Sequence, residues 1–306
     1  PPTAKPKPKS PVMSYRKEKV LSLTGTEVNA LDQLALQKEC ANLLDHQMHG
    51  ICFSPYEGEQ EPGDPISEEQ VRRKLALLQP HTRWIRVFSC TEGNDMIPQL
   101  AREYGLKTLV GAWLGEDKEK NEEEVARLIE LARAGFVDVA AVGNEVMYRE
   151  EMEESELLEY ILRVKEALPD TPVGYVDAYY EFTNRPAIAE ACDVILANCY
   201  PYWEGCHIDY ALLYMKQMYY QAKQAAKGKK VIITETGWPS EGDPLGVAEP
   251  GYENALKYFI NAQRWSQKED IEMFYFSAFD EGWKVGTEGS VGAFWGLWDS
   301  AGKRKF

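Results

Sequence analysis

Eight short apolar runs, each followed by a loop and a charged helix-like stretch, restrict the fold of this chain more than any other feature. The runs cover residues 50–55, 83–90, 107–113, 136–145, 172–176, 193–200, 230–235 and 271–279. Each is nearly continuous in apolar residues, as expected for parallel strands covered on both faces. Between them, Ser67 with Gln70 reads as a capping box ahead of a helix ending near Pro80. Asn121 with Glu124 reads the same way, with that helix stopping at Gly135, and Gly105 closes another. Further helical patterns cover 157–168, 185–192, 210–227 and 251–267. Strict alternation of β and α elements implies a parallel sheet. Eight such strands fit a closed (β/α)8 TIM barrel, a single α/β domain. An open doubly wound sheet is the weaker reading, because no Gly-rich phosphate fingerprint is present.

The segment 280–306 is rich in Gly and Trp and offers no eighth helix. A helical stretch at 28–47 precedes the first strand and is expected to fill that gap in the outer ring. Residues 1–20 begin as a Pro/Lys tract that reads as a linker or an expression remnant, leaving 21–306 as the catalytic barrel. No signal peptide is visible, although the chain can be a trimmed mature form.

The surface is acidic, with 34 Lys and Arg against 49 Asp and Glu for a net charge of −15. Such a surface repels phosphate backbones and anionic membranes, so nucleic acid is not an expected partner, whereas a neutral polysaccharide is not repelled. No apolar run approaches the roughly 18 residues of a membrane span. The four histidines, His46, His49, His81 and His207, form no H-x-H or H-x-x-x-H pair, so no metal and no cofactor is expected. Cys40, Cys52, Cys90, Cys192, Cys199 and Cys206 are too sparse for a disulfide scaffold and contain no C-x-x-C pair. Three of them, Cys52, Cys90 and Cys199, lie in strand runs and read as buried small hydrophobes. Cys199 and Cys206 are close enough in sequence to pair, though nothing requires it.

Barrel enzymes carry their chemistry at the C-terminal ends of strands, so polar residues that end apolar runs are informative. The fourth run ends in Asn144 and Glu145, and the seventh ends in Glu235. A carboxylate at the end of a buried run is costly unless satisfied or used. Each alone could cap a helix or hold an arginine. As a pair across a barrel mouth they suit glycoside hydrolysis, one protonating the leaving oxygen while the other attacks the anomeric carbon or activates water.

The motifs around them are more specific. V-G-N-E-V at 142–146 and T-E-T-G-W-P-S at 234–240 resemble the two signatures of glycoside hydrolase family 17, the β-1,3-glucanases. F-D-E-G-W-K at 279–284 and W-G-L-W at 295–298 resemble two further motifs of that family. G-I-C-F-S-P-Y at 50–56, ending in Tyr56, and Y-P-Y-W at 200–203 resemble its first and sixth strand ends. The resemblance runs from about residue 50 to the C-terminus and looks most like a bacterial laminarinase-like member. It implies Glu145 as general acid/base and Glu235 as nucleophile of a retaining double displacement. It further implies that Asn144 hydrogen-bonds the sugar 2-hydroxyl and that Tyr200 donates to Glu235. Glu281 and Lys284 match a charged pair after the eighth strand, whose bland alternative is a surface ion pair. Arg86 matches the end of the second strand, whereas Phe88 stands where plant members often carry Tyr.

Sugar binding also needs flat apolar surfaces, for which the candidates are Phe88, Trp113, Tyr148, Tyr179, Tyr180, Tyr202, Trp203, Trp238 and Trp283. Trp203, Trp238 and Trp283 lead, since each directly follows a strand end. The segment 203–230 lacks the long insertion of plant members, so the cleft wall there is expected to be low. The leading expectation is thus endo-hydrolysis of β-1,3-glucan of the laminarin type. The alternative is a β-1,3-glucan transglycosylase using the same carboxylates, and a noncatalytic glucan-binding barrel is the contrasting class. A monomer acting on glucan as a secreted, periplasmic or cell-surface enzyme completes the expectation.

Overall fold

The computed structural model describes residues 25–306; the Pro/Lys tract lies outside them. Eight parallel strands close into a barrel in sequence order: β1 (Met48–Cys52), β2 (Thr82–Val87), β3 (Lys107–Ala112), β4 (Val139–Asn144), β5 (Val173–Ala178), β6 (Val194–Asn198), β7 (Val231–Thr236) and β8 (Met273–Tyr275). Every strand is buried along most of its length, which explains why the runs carry no alternation. The helices are α1 (Thr26–Asn29), α2 (Gln33–Asp45), α3 (Glu68–Leu78), α4 (Ile97–Glu103), α5 (Lys118–Arg133), α6 (Glu154–Ala167), α7 (Glu181–Asn184), α8 (Pro186–Ala191), α9 (Ala211–Ala226), α10 (Tyr252–Lys268) and α11 (Val285–Glu288). This is the (β/α)8 barrel that the alternation of elements implies.

The stretch expected as one helix over 28–47 is two helices, α1 and α2, because Asp32 turns extended and caps Ala35 N. Helix α2 packs on α10, where Gln37 bonds Tyr252 at 2.6 Å and Glu39 pairs with Arg264 at 2.8 Å. At its other end the Leu44 carbonyl meets the His81 ring at 3.1 Å, just before β2. The helix therefore spans the seam left open after β8.

Ser67 and Gln70 form the capping box at α3. The second expected box does not form. Helix α5 starts earlier, capped by Asp117, and Asn121 instead bonds both backbone groups of Gly115. Glu124 turns into the protein, where it accepts from Ser89 Oγ, Cys90 N, Thr91 Oγ1 and Trp113 N. Glu124 lies about two turns into the helix, too far in to reach the N-cap, and finds the open amides after β2 and β3 instead.

The eighth strand is also shorter than its apolar run. Past Tyr275 the backbone is shared between the barrel and the Trp-rich tail: Phe276 N donates to Thr236 and Ala278 N to Cys52, while Ser277 N donates to the Trp295 carbonyl, Leu297 N to Ser277 and Trp298 N to Ala278, at 3.0, 3.0 and 2.8 Å. After β8 comes the four-residue α11 and then this tail, whose Trp295 packs on Tyr200 at the barrel mouth.

All six cysteines are free and buried. Burial pushes the Cys40 and Cys192 thiols up to about 12, which keeps them protonated and unreactive. Thiol titration of the folded protein should accordingly be slow. The unfolded, unreduced protein should titrate six thiols; a count of four or fewer would mean that bridges form and that the burial argument fails.

Candidate active site

The barrel mouth gathers polar side chains from four strands around one buried guanidinium. Arg86, near the end of β2, is 2% exposed. Its Nη1 donates to Glu235 Oε2 at 2.5 Å and to the Thr234 carbonyl at 3.3 Å, both on β7. Its Nη2 donates to Asn144 Oδ1 on β4 at 2.8 Å. Phe88 lies beneath it, with the guanidinium carbon 4.2 Å from the ring centroid. A phenyl ring there screens the cation from water and holds its plane, a cation–π contact.

Glu145 reaches the mouth through an irregular strand end. The β4–β5 register shifts between Ala141 and Asn144, Gly143 has φ 89°, and Glu145 itself has φ 55°. A non-glycine residue in the left-handed region stores strain of about 1 kcal/mol or more, a pattern that concentrates at functional sites. The turn is fastened from β5. Glu145 N donates to the Val176 carbonyl, Met147 N to Tyr175 Oη and Tyr148 N to Asp177, while Tyr175 Oη itself donates to Asp177.

Asn198, the last residue of β6, joins the two carboxylates. Its Nδ2 donates to Glu145 Oε1 at 3.0 Å and to Glu235 Oε2 at 2.9 Å. Thr234 Oγ1 donates to Asn198 Oδ1 at 2.7 Å and so fixes which end of the amide faces the pair. Two oxygens sharing one donor lie no more than about 6 Å apart. Tyr200 Oη donates to the other Glu235 oxygen at 2.8 Å.

The two carboxyl groups differ in their surroundings. Burial, then the Glu235 charge, push Glu145 up to about 7, against the pull of the Asn198 amide; Asp177 adds to the rise and Arg149 opposes it. Glu235 instead has a guanidinium, a phenol and an amide donor against it, all of which stabilise negative charge.

The other sequence candidates divide into those at the mouth and those behind it. Glu281 and Lys284 are a buried pair at 2.5 Å rather than a surface one, and Lys284 Nζ also lies 4.1 Å from the Phe276 ring centroid. Tyr56 is buried, with its hydroxyl accepting from Asn94 and its ring edge-on to half-buried Trp283. Trp203 is 40% exposed and tilts against Trp295 at 5.4 Å. Trp113 and Tyr148 are also exposed. Trp238 and Tyr202 do not offer sugar a face. Trp238 is 2% exposed, bonded to the Glu249 carbonyl and packed on Tyr258. Tyr202 is 1% exposed, wedged among Trp203, Trp238 and Trp295, with its hydroxyl on the Asp243 carbonyl. Both indole and phenol tips find backbone partners inside, so these rings support the wall from behind. Among the described residues, no group of three or more His, Cys, Asp or Glu side chains could hold a metal ion.

Asn198, Thr234 and Asp177 were not among the sequence candidates. Asn198 carries the signal that picked out Asn144: a polar residue ending an apolar run, here I-L-A-N. Asp177 ends V-G-Y-V-D in the same way, one residue beyond the fifth run as read from the sequence.

A family model, the BtgE/BtgC glycoside hydrolase domain, matches residues 50–296. The chain belongs to this family. It is the family-17 type of glycoside hydrolase that the sequence motifs resemble. The BtgE/BtgC-type chain is 28% identical over 252 residues to the glucan 1,3-beta-glucosidase BGL2 of Candida albicans, covering 74% of this chain and 82% of that one. It is 26% identical over 315 residues to a glucan 1,3-beta-glucosidase of Saccharomyces cerevisiae, covering 94% of each. Among solved structures, an active-site mutant of the Rhizomucor miehei beta-1,3-glucanosyltransferase in complex with laminaritriose is similar with a TM-score of 0.76 and 27% identity, over 85% of this chain and 96% of that one.

The raised Glu145 group makes a test that does not depend on any substrate. Below the ordinary carboxylate range both folded and unfolded chains are protonated, and Glu145 contributes nothing. As pH rises from about 4.5 to about 7 the unfolded chain ionises first, so the native state loses stability, and the loss is complete above 7. Glu145→Gln removes that loss. It should stabilise the protein by on the order of 2–3 kcal/mol at pH 8 and by almost nothing at pH 4, measured by urea unfolding. An equal effect at both pH values would contradict the raised carboxyl.

Proposed function

We propose that this protein cleaves β-1,3-glucan internally by a retaining double displacement, with Glu145 as general acid/base and Glu235 as nucleophile. The observation that carries the reading is the shared Asn198 donor. It puts one oxygen of each carboxylate no more than about 6 Å from the other, compatible with the roughly 5–5.5 Å of retaining pairs. The differing surroundings support the division of roles. Glu145, raised to about 7, can hold a proton for the leaving oxygen. Glu235, with Arg86 and Tyr200 against it, is the anion that can attack.

In the first step a Glu235 oxygen bonds to the anomeric carbon as the glycosidic C–O bond breaks. The Glu145 proton passes to the leaving sugar oxygen. In the second, Glu145 takes a proton from water, the water oxygen bonds to the anomeric carbon, and the ester to Glu235 breaks. Asn144, whose Oδ1 is already held by Arg86, has its Nδ2 left to donate to a sugar hydroxyl. Tyr56, Trp203, Trp283 and the Glu281–Lys284 pair are the proposed contacts along the cleft. The neutral polymer suits an acidic surface of net charge −15, and the laminaritriose held by the Rhizomucor relative supports the β-1,3 linkage.

A second reading has support of its own: that relative is a glucanosyltransferase. There a sugar hydroxyl replaces water in the second step. We read the segment between β6 and α9, which lacks a long insertion, as leaving the acceptor side open to solvent, which favours water.

Glu235→Gln should reduce turnover of laminarin by about 10⁴-fold or more, and Glu145→Ala should be partly rescued by azide with a β-glycosyl azide as product. An α-azide would overturn retention. The rate should fall on the alkaline side, because deprotonation of Glu145 removes the acid; kcat/KM should break near pH 7. Sizing the products from a β-1,3-glucan oligosaccharide decides between the two readings. Products shorter than substrate with steadily rising reducing ends mean hydrolysis, and early products longer than the substrate mean transfer.

A further inference from the structure

Beyond the cleft wall, on the same face of the barrel, lies a second concavity of ≈ 520 Å³. That is within the about 300–1,000 Å³ of small-molecule sites. It opens where the loop after β6 meets the start of α9 and the loop after β7. Its walls include Glu204, His207, Tyr210, Tyr214, Gln217 and Val247. Tyr210, Tyr214 and Gln217 are spaced i, i+4, i+7, so they stand along one side of the helix. Both tyrosine rings are open to solvent, at 45% and 43% exposure.

Two observations set this patch apart from scattered surface apolar residues. Trp203, Tyr210, Tyr214, Leu245 and Val247, all large and exposed, come from two loops and one helix start that touch one another. Single exposed hydrophobes are ordinary, whereas a gathered patch marks a binding surface. The concavity also adjoins, in the chain, the aromatic wall of the cleft. Tyr200, bonded to Glu235, packs on Trp295 at 5.6 Å; Trp295 packs on Trp203 at 5.4 Å; Glu204 follows Trp203 and lines the second concavity. The Glu204 carboxylate is already engaged by the Tyr179 hydroxyl at 2.6 Å, and His207 stands 3.6 Å from Asp209. What remains, among the described residues, is flat rings, apolar side chains and an amide with no Lys or Arg, a lining suited to a neutral hydroxylated chain rather than to an anion.

We infer that the concavity bearing Tyr210 and Tyr214 is an outlying binding site for β-1,3-glucan, holding the stretch of polymer that leaves the cleft over Trp203. This rests on the proposed glucan substrate. A chain long enough to occupy both places gains from the second as an intramolecular contact, and a short oligosaccharide confined to the cleft gains nothing. The two tyrosines thus act on affinity for polymer and not on the chemical step.

The test compares the Tyr210→Ala/Tyr214→Ala double variant with the unaltered protein on laminarin and on laminaripentaose. KM for laminarin should rise about ten-fold with kcat unchanged, and both constants for laminaripentaose should stay as they were. Tyr210→Phe/Tyr214→Phe keeps the flat rings and should keep the original KM. Mobility in native gels containing laminarin reads binding directly: the unaltered protein should be retarded and the alanine variant less so. If the alanine variant matches the unaltered protein in KM for laminarin and in retardation, the outlying site is overturned and the proposed function stands. If the phenylalanine variant loses as much as the alanine one, stacking is overturned as the means of binding. If the unaltered protein neither turns over laminarin nor is retarded by it, the proposed function and this site are overturned together.

Discussion

A single buried guanidinium organises the mouth of this barrel. Arg86 reaches from β2 to β4 and β7, and its hydrogen bonds end on the Asn144 amide, the Thr234 carbonyl and the Glu235 carboxylate. Burying an ion pair costs several kcal/mol per ion in desolvation, and the attraction compensates only when the geometry is good and further hydrogen bonds are made. Here the remaining oxygen of Glu235 has Tyr200, and Phe88 shields the guanidinium face. One tether therefore fixes side chains on strands that are not neighbours in the sheet. That rigidity is what a site needs if two carboxylates are to keep a spacing set to a fraction of an ångström.

The same arrangement separates the two carboxyl groups chemically while holding them close. They share the Asn198 amide, yet a guanidinium lies against only one of them. The other sits on a strained turn, braced by the Tyr175–Asp177 pair from the next strand. Asp177 has two effects on that turn. Its oxygens anchor the backbone that presents Glu145, and its charge makes a second negative charge nearby less favourable. Positional support and electrostatic tuning come from one side chain.

Much of this was legible in the sequence, for a physical reason. Strands of a parallel barrel are buried on both faces, so each leaves an unbroken apolar run, and a polar residue at its end stands out. Glu145, Glu235 and Asn144 were found that way. Asn198 carries the same mark, but the apolar run there continues to Tyr200, two residues past the strand end, and hides it. The aromatic residues were harder. Trp203 and Trp238 each follow a strand end, but one faces solvent and the other is sealed under Tyr202. Which way a ring turns depends on the loop's later path and on whether a backbone carbonyl waits inside for its N–H, and neither is local. Glu124 misled for a similar reason: its spacing from Asn121 matched a cap, but its partners come from two other loops.

The tail that pairs with the residues past β8 couples the site to the last part of the chain. Trp295 closes the aromatic wall against Tyr200, Tyr202 and Trp203, and its neighbours zip onto residues 277–278. Without that segment the wall would lack its Trp295 face, leaving Tyr200 and Trp203 less covered. Such surface is prone to aggregate, and contacts so distant in sequence form late. The aromatic wall of the cleft is thus completed by residues that follow all eight strands in the sequence.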